Sequence, residues 1–294
     1  MHDKKIIPTF DFYKTLNTDL RFVFSHLEES YNTYDASLPH RHNYYEILLF
    51  KGNGGLHEID FKPYPVQENS LHFVSPEQVH LLRRDKHVTG FVISFTHEFL
   101  IADTGGESFI DSFPFFNNPY ATPVVKLNEK AQHKIFEIIN NMKVEHASDD
   151  TDKAEALFSY LSILLITARR LYSPKASAGA TLPMRHELTF KFKKLVDANF
   201  REHKSVAAYA QLLHITAGHL NDTVQKDIGK TASEVIYGRI ILEAKRLLYH
   251  SPKSVKEIAV YLNYDDPSYF TRFFKTHTQF TPEEFRKHIR EKYR

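Results

Sequence analysis

Two stretches in the last third of this 294-residue chain follow one template. Four residues of the first stretch recur 49 positions later, with Ser205, Val206, Ala210 and Leu213 matched by Ser254, Val255, Ala259 and Leu262. Three more recur after 50 positions, with Leu220, Val224 and Thr231 matched by Phe270, Phe274 and Thr281. The turn of the second copy is therefore one residue longer than the turn of the first. Each copy predicts a short helix, a turn and a second amphipathic helix, which is a helix-turn-helix whose second helix can lie in a DNA major groove.

The second helix of the second copy carries clear signals. Asp266 or its neighbour can cap its start, and Pro267 suits its first turn because the missing N–H would be unpaired there anyway. An apolar face is formed by Phe270, Phe273 and Phe274, and the outward side carries Ser268, Thr271, Arg272 and Lys275. Arginine offers a bidentate fork to guanine and lysine reaches phosphate, so this helix is predicted to read DNA.

We predict DNA contacts from both copies. In the first copy they are Thr216, Ala217, His219, Asn221, Asp222 and Gln225, and in the second they are Pro267, Ser268, Thr271, Arg272 and Lys275. Any surface helix carries polar residues, so one copy alone leaves an ordinary solvent-facing helix as an alternative. Two copies at matched spacing favour DNA recognition.

A long helix is predicted between the two copies, over residues 233–250. Val235, Ile236, Ile240, Leu247 and Leu248 keep a helical apolar period there. Such a connector holds the two reading helices in a fixed relation. One face of B-DNA presents successive major grooves about 34 Å apart, so a single chain could reach both.

At this point the chain resembles the AraC/XylS family of transcription regulators. The resemblance rests on Ala210, Leu213, Leu220 and Gly229, and on the segments 239–248, 255–259, 268–275 and 281–286. The first copy departs from the family pattern, because Val224-Gln225 replaces the usual Phe-Lys pair and Asp222 stands where a polar or basic residue is common. A carboxylate is repelled by phosphate, although it can accept from a cytosine amine. The first copy is therefore expected to read DNA weakly or mainly to dock the protein.

The resemblance also implies partners for the rest of the chain. Its N-terminal half is expected to sense a small-molecule effector, and a helix after that half is expected to pair two chains as a homodimer. The C-terminal half is expected to bind double-stranded DNA. RNA polymerase is a further expected partner. An activator is the expected type of regulator, although the sequence does not decide whether transcription rises or falls.

Charge is divided unevenly along the chain. Residues 185–294 carry a formal charge of +7, whereas residues 1–184 carry −5, and the total of +2 hides the difference. A basic C-terminal module is attracted to DNA phosphates, whereas the acidic N-terminal module is not expected to bind DNA. A merely solubilising basic surface remains the alternative to this reading.

Length and composition predict two domains of an α+β protein. We place a sensing and dimerisation domain at residues 1–172, a linker rich in serine, proline and alanine at 173–183, and a DNA-binding domain at 184–294. The chain has no cysteine, which excludes disulfides, thiolate zinc sites and cysteine nucleophiles. No signal-length or membrane-length apolar run was found, so a cytoplasmic protein without a membrane partner is expected.

The N-terminal half reads as short strands. Residues 44–50 and 56–61 flank a glycine-rich turn and predict a hairpin, while Pro63 and Pro65 are expected to interrupt pairing. Residues 71–74, 79–82 and 91–95 predict further strands. Closely spaced strands with turn signals favour a small antiparallel cupin-like β-barrel or jelly roll, followed by helices.

One group of residues in this half could carry chemistry. Its pattern is His40-x-His42-x3-Glu46, with His80 later, which resembles the two cupin motifs and could bind a metal. In the sensing domains of the AraC family, however, the same pattern usually accompanies an organic effector without metal. We therefore predict an effector site, with no metal and no cofactor, formed by His40, His42, Tyr45, Glu46 and His80. A purely structural role for these histidines stays open.

Two helices are predicted after the strands, over residues 128–146 and 152–172. The second carries Leu157, Leu161, Leu164 and Ala168 at helical spacing, more apolar surface than covering the barrel requires. We predict that this face forms the homodimer contact.

The function that these patterns favour is a non-enzymatic, ligand-responsive transcription regulator. The rival from another class is a metal-dependent cupin enzyme whose C-terminal half tethers it to DNA. A third interpretation is an architectural DNA-binding protein with a barrel that has lost its ligand. Metal stoichiometry with turnover favours the enzyme, and salt-dependent binding to a specific DNA sequence favours the regulator.

Overall fold

The computed structural model describes residues 8–16, 20–29, 38–101, 108–116, 122–172 and 184–292. The chain divides into two compact units, which we call the N-terminal unit, Ile7–Ser177, and the C-terminal unit, Ala178–Arg294. The expected linker at 173–183 lies outside the described residues. Both the antiparallel sheets of the first unit and the helices of the second agree with an α+β protein of two domains.

The strands of the N-terminal unit are β1 Thr9–Phe10, β2 Phe22–His26, β3 Arg41–His42, β4 Tyr45–Phe50, β5 Gly55–Ile59, β6 Lys62–Pro65, β7 Ser70–Val74, β8 His80–Arg84, β9 Gly90–Phe95 and β10 Val124–Lys126. Five of them form an antiparallel sheet in the order β10-β7-β4-β9-β2, and three form a second sheet in the order β6-β5-β8. A short parallel pair joins β1 to β3. The described strands thus form separate sheets, and the closed barrel expected from the sequence is not seen in their hydrogen bonding.

The expected hairpin between residues 44–50 and 56–61 is wrong. Strand β4 pairs with β7 and β9, whereas β5 pairs with β6 and β8. Gly54 and Gly55 have φ angles of 130° and 102°, which lead the chain away from β4 into the other sheet. A side chain at Gly55 would collide with the backbone of Arg83, so the close approach to β8 also requires glycine.

Pro63 and Pro65 of β6 were expected to interrupt strand pairing, and this expectation is wrong. Pro63 lies opposite Glu58 and Pro65 lies opposite Leu56, within the antiparallel pair of β5 and β6. Strand β6 is at the edge of its sheet. An edge strand tolerates proline because its outer side needs no ladder hydrogen bond.

Strand β4 separates two apolar layers. One face contributes Leu48 and Phe50 to a core shared with Ile59 and Leu82 of the smaller sheet. The other face, with Ile47, packs against the helices. Burying one such side chain completely stabilises the fold by about 1.5–3 kcal/mol, so the two layers hold the unit together.

The helices of the N-terminal unit are α1 Phe12–Leu16, α2 His97–Ile101, α3 Ser108–Asp111, α4 Glu129–Ala147 and α5 Lys153–Tyr172. The two long helices lie where the sequence predicts them, and the Asn128 side chain caps α4 by accepting from the backbone N–H of Ala131. Both pack on the five-stranded sheet in one continuous core.

Helix α5 does not offer the predicted dimer face. Leu157, Leu161, Leu164 and Ala168 are all 0% exposed and lie in the core between α5 and the sheet. The apolar face that the sequence suggested was surplus is therefore buried by the chain's own sheet and helices. Its exposed side instead carries Ile163, which is 44% exposed.

The C-terminal unit consists of α6 Met184–Asn199, α7 Val206–Leu212, α8 Ala217–Ile228, α9 Ala232–His250, α10 Val255–Tyr261, α11 Pro267–Thr278 and α12 Pro282–Lys292. The predicted connector is α9. In the part of the chain that the structure describes, no helix is long and apolar enough to cross a membrane.

The sequence repeat is a repeat of backbone geometry. Helices α7, α8 and α9 correspond to α10, α11 and α12. The turns contain a left-handed residue in both copies, His214 with φ 55° and Asn263 with φ 56°. The second helices end in another, Gly229 with φ 70° and Gln279 with φ 68°. The extra residue of the second copy therefore lies in the turn, after Asn263.

Candidate functional site

Helix α11 is held by its start and by its apolar face. The Asp266 side chain accepts hydrogen bonds from the backbone N–H groups of Ser268 and Tyr269, and Pro267 occupies the first turn, as predicted. Phe270 and Phe274 are 0% exposed. These anchors turn the opposite face of the helix towards solvent.

The exposed face of α11 carries Ser268, Arg272 and Lys275 of the predicted DNA contacts. The Arg272 side chain is 72% exposed, and its Nη2 lies 4.0 Å from Oδ2 of Asp266, so it is loosely held and free to extend. The Thr271 hydroxyl donates to the carbonyl of Pro267 within the helix, at 2.9 Å. The oxygen of this hydroxyl can still accept a hydrogen bond, so the DNA contact of Thr271 stays a prediction.

Tyr269 is a surface residue that the sequence interpretation missed. Its side chain is 57% exposed, one helical step from Arg272 at i, i+3. An aromatic residue on the polar side of an amphipathic helix was the available signal. Its ring can contact sugar or base surface beside an arginine.

Helix α8 presents a different surface. The Thr216 side chain caps the helix by accepting from the backbone N–H of His219 at 3.1 Å. Ala217, His219, Asp222 and Gln225 are exposed, as are Gly218 and Lys226, which the sequence interpretation left out. The Asn221 side chain accepts from the backbone N–H of Ala232 at 3.1 Å, which ties it to the start of α9. Asn221 therefore supports the helix junction and is not brought to the exposed face.

The connector α9 packs against both copies of the repeat, that is, against α7 and α8 of the first and α10 and α11 of the second. Its Arg239 binds the carboxylates of Asp197 on α6 and of Glu243 one turn away, at 2.9 and 3.1 Å, and its guanidinium lies 4.0 Å from the centre of the Phe200 ring. Burial raises the pKa of the Asp197 carboxyl, and the Arg239 charge acts in the opposite direction. At its other end Arg286 of α12 donates to the carbonyl of Leu248.

These contacts make α9 a fixed spacer between α8 and α11. With 19 residues at about 1.5 Å each, it is about 28 Å long. The arrangement suits two helices that meet one stretch of DNA.

A second candidate site lies inside the N-terminal unit. Side chains from β3, β4 and β8 bring together His42, Glu46 and His80, each offering one nitrogen or oxygen atom within 4.8 Å of the others. They are 0%, 4% and 3% exposed. His40 joins them, since it forms a backbone bridge with His80 and their ring centroids are 4.3 Å apart. Four of the five predicted effector residues therefore converge.

Tyr45 is the predicted effector residue that does not join the cluster. Successive side chains of a strand point to opposite faces, so Tyr45 lies on the face of β4 opposite to Glu46. Its ring stacks on Phe95 and contacts Phe116 in the core beneath the helices. Tyr45 is therefore a packing residue in this structure.

Two further histidines extend the cluster, and the sequence interpretation missed both. His57 Nε2 lies 3.2 Å from His80 Nδ1, and His57 Nδ1 lies 3.1 Å from His72 Nδ1. They come from β5 and β7, far from the recognised motifs in sequence. The available signal was a histidine inside an apolar strand, as in Leu71-His72-Phe73.

Burial favours the neutral form of three of these rings. It lowers the pKa of His72 to about 3. Burial, followed by the charges of neighbouring histidines, lowers the pKa values of His57 and His80 well below the ordinary value. Neutral imidazoles present lone pairs, so the cluster is a set of donors that can bind a cation or the polar group of a ligand.

Comparisons with known proteins match both units. The family model described as an AraC-like ligand binding domain matches residues 22–162, and a model described as a helix-turn-helix domain matches residues 209–288. The HTH-type transcriptional activator RhaR of Salmonella dublin is 22% identical over 257 residues, which is 86% of this chain and 88% of that protein. RhaR of Salmonella typhi is 23% identical over the same shares.

Solved structures give weaker likenesses. ToxT from Vibrio cholerae O395 is 13% identical, with a TM-score of 0.43 over 90% of this chain and 97% of that chain. The C-terminal domain of the response regulator yesN from Fusobacterium nucleatum is 22% identical, with a TM-score of 0.32 over 35% of this chain and 99% of that chain. The two family models, which match the two units in turn, show that the chain belongs to the AraC family of transcription regulators, with a ligand-binding domain followed by a helix-turn-helix domain.

Proposed function

We propose that the C-terminal unit binds a specific DNA sequence through two helix-turn-helix motifs, α7–α8 and α10–α11, with α11 as the main reading helix. The observation that carries this is the exposed face of α11, where Arg272 and Lys275 lie on a helix whose start is capped and whose other face is buried. Arg272 would contact a guanine, and Lys275 would contact phosphate.

Helix α8 has a secondary role in this proposal. Its exposed Asp222 is repelled by phosphate, and the side-chain oxygen of Asn221 already accepts a hydrogen bond from the backbone N–H of Ala232. His219, Gln225 and Lys226 remain exposed and can make polar contacts. We infer that α8 positions the protein on the DNA and contributes less to base recognition.

The N-terminal unit acts in this proposal as the sensor. It binds a small ligand at His40, His42, Glu46 and His80, and ligand binding changes the affinity of the C-terminal unit for DNA. The match to a ligand-binding domain supports a role in binding rather than in catalysis. The RhaR relatives are named as activators, and we propose the same direction of control here, exerted on RNA polymerase.

We also propose that two copies act together on DNA. The buried residues of α5 cannot form the contact, so the pairing surface has to lie elsewhere, and sedimentation at micromolar concentration measures whether it exists. Wild-type protein that stays monomeric both alone and on its preferred DNA would contradict a homodimer.

The DNA proposal is tested by selecting bound fragments from a random pool with the full chain. We expect one sequence pattern to emerge, with an affinity that falls steeply as salt rises because phosphate contacts release counterions. Arg272→Ala should lose preference at one base position. Arg272→Lys is the matched control that keeps the charge and loses the bidentate geometry, so it should retain affinity for DNA in general while losing the base preference. Selection that returns no common pattern from the wild-type chain would refute the proposal.

A further inference from the structure

We propose that His42, Glu46 and His80 form a binding site for one divalent transition-metal ion. This deepens the proposed function by naming the ligand of the sensing site, contrary to the organic effector expected from the sequence. Its effect on transcription rests on the proposed function, whereas metal binding itself does not.

The spacing of the donor atoms suits a single ion. The three atoms lie within 4.8 Å of one another. Bonds of about 2.0–2.2 Å from zinc to nitrogen or oxygen place two ligands of one ion about 3–4 Å apart. A carbon skeleton between them would need about 3.5 Å of contact distance on each side, or about 7 Å in all, so an organic ligand could reach these atoms only with a polar group from one side. One ion can reach His42 Nε2 and Glu46 Oε2, which are 3.7 Å apart, as they stand, and a pair at the 4.8 Å limit would have to close in slightly on binding.

The hydrogen bond of His42 sets up its ring as a metal ligand. Nδ1 lies 2.7 Å from the carbonyl oxygen of Tyr44, and because a carbonyl only accepts, Nδ1 carries the hydrogen. Nε2 then presents its lone pair, is buried, and has no hydrogen-bond partner. The ring also stacks on Tyr44 with centroids 4.1 Å apart, which fixes its direction.

The lone pair of His42 faces a carboxylate. Nε2 lies 3.7 Å from Oε2 of Glu46, too far for the charged hydrogen bond of about 2.7–2.9 Å that a protonated ring would make. Two buried acceptors at this distance repel each other unless a cation lies between them. Both can bind the same ion at this separation. The other carboxylate oxygen, Oε1, accepts from the Ser94 hydroxyl at 3.5 Å, a long hydrogen bond that leaves Oε2 for the ion.

A chain of histidines supports the third ligand. If His80 Nδ1–H donates to His57 Nε2, then His57 Nδ1–H donates to His72 Nδ1, and the buried Nε2 of His80 presents a lone pair to the ion. The opposite direction of the same chain would place a hydrogen on His80 Nε2. A metal ion selects the first direction, so His57 is a positioning residue, of the kind that orients metal-bound imidazoles in proteins.

The donor set indicates the class of metal. Two imidazoles and one carboxylate suit zinc and the neighbouring transition metals, whereas magnesium prefers oxygen ligands. Zinc is therefore the probe, and magnesium is the control ion.

The test is a zinc titration of the full chain after treatment with a chelator, followed by calorimetry and elemental analysis. We expect one zinc ion per chain with micromolar or tighter affinity, and no competition from magnesium. His42→Gln and the nearly isosteric Glu46→Gln should each weaken binding by more than about 100-fold, because supporting residues alone contribute about 10–100-fold. His57→Gln should fall within that smaller range. His133→Gln, an exposed histidine of α4, is the matched control and should bind as the wild type does.

Circular dichroism and thermal unfolding establish that each variant is folded, and Glu46→Gln is the reference if His42→Gln does not fold. Zinc binding well below one equivalent in the wild type would overturn the inference, as would unchanged affinity in Glu46→Gln. If the wild-type chain selects a DNA sequence but binds no zinc, the metal site is wrong and the proposed function stands. If it binds zinc but selects no DNA sequence, the metal site stands and the proposed function is wrong.

Discussion

Helices α8 and α11 occupy equivalent places in the repeat, yet the side chains that they expose differ in charge. Position 222 is an aspartate in α8, and its equivalent 50 residues later is Arg272. Gln225 corresponds in the same way to Lys275, and His219 to Tyr269. The buried positions remain apolar in both copies, with Leu220 and Phe270 each 0% exposed. The comparison indicates that one framework has been kept while two surfaces have taken different tasks.

The largest expected effect tests whether the framework is one cooperative unit. Leu220→Ala and Phe270→Ala remove fully buried side chains and should destabilise the C-terminal unit by about 2–5 and 3–5 kcal/mol. Because α9 packs against both pairs, each variant should raise amide exchange in α8 and in α11 together, measured by mass spectrometry on the full chain. Gln211→Ala, at an exposed position of α7, is the control. Exchange raised in only one pair would show that the two copies are stabilised separately.

A second prediction tests the surfaces at the equivalent positions 222 and 272. Arg272→Ala should weaken binding to the preferred DNA by about 1–3 kcal/mol and flatten one base position. Asp222→Ala should have the opposite sign and strengthen binding, because it removes a charge that phosphate repels. Fluorescence anisotropy with preferred and unrelated DNA measures both variants. Equal losses in the two variants would mean that α8 reads bases as strongly as α11 does.

A smaller effect is expected at the helix starts, where Thr216 and Asp266 perform the same task with different chemistry. Thr216→Ala should cost about 1 kcal/mol at any pH because a hydroxyl does not titrate in the accessible range. Backbone hydrogen bonds, chiefly from Ser268, hold the pKa of Asp266 below its ordinary value of 3.8.

The stabilisation from Asp266 is therefore complete above that value and is lost as the pH falls through the lower pKa of the folded state. Asp266→Asn, which can cap without charge, should remove the acid dependence of α11. Amide exchange in α8 and α11 between neutral and acidic pH measures the difference. An α11 that is unaffected by acid in the wild type would contradict this account of its cap.

The smallest effect is expected at the helix ends, where both copies use a left-handed residue. Gly229→Ala should destabilise α8 by about 1 kcal/mol, because alanine is strained at a positive φ angle. Gln279→Gly should relieve the same strain and stabilise α11 slightly. Denaturant unfolding of the full chain, followed by circular dichroism, measures the two signs. Two changes of the same sign would mean that the helix ends of the two copies are not equivalent.

Much of the C-terminal unit could be predicted because its signals are local. The cap and the proline at the start of α11 and the apolar period of α9 lie within a few residues of the structure that they determine. The single-residue insertion in the turn was also visible as a change of offset between the copies. What could not be predicted was the use of individual side chains, such as Asn221, whose partner lies on the next helix.

The N-terminal unit was harder to predict because strand pairing is not local. The turn after β4 looked like a hairpin, and only the sheet arrangement shows that β4 and β5 belong to different sheets. The burial of α5 was also ambiguous in the sequence. Its apolar period is the same whether the helix packs on its own sheet or on a second chain. Periodicity shows that a face is buried and does not identify what buries it.

The histidine site divides between these two kinds of information. The sequence by itself determined that His40, His42 and Glu46 lie close together, since they are separated by only a few residues of extended chain, and the resemblance to a motif added His80. Only the tertiary structure brought in His57 and His72 and showed that they meet the face of β4 that carries Glu46 and not the face that carries Tyr45. The physical reason is that a strand turns alternate side chains to opposite faces, so nearness in sequence cannot tell which face will meet the strands that arrive from elsewhere.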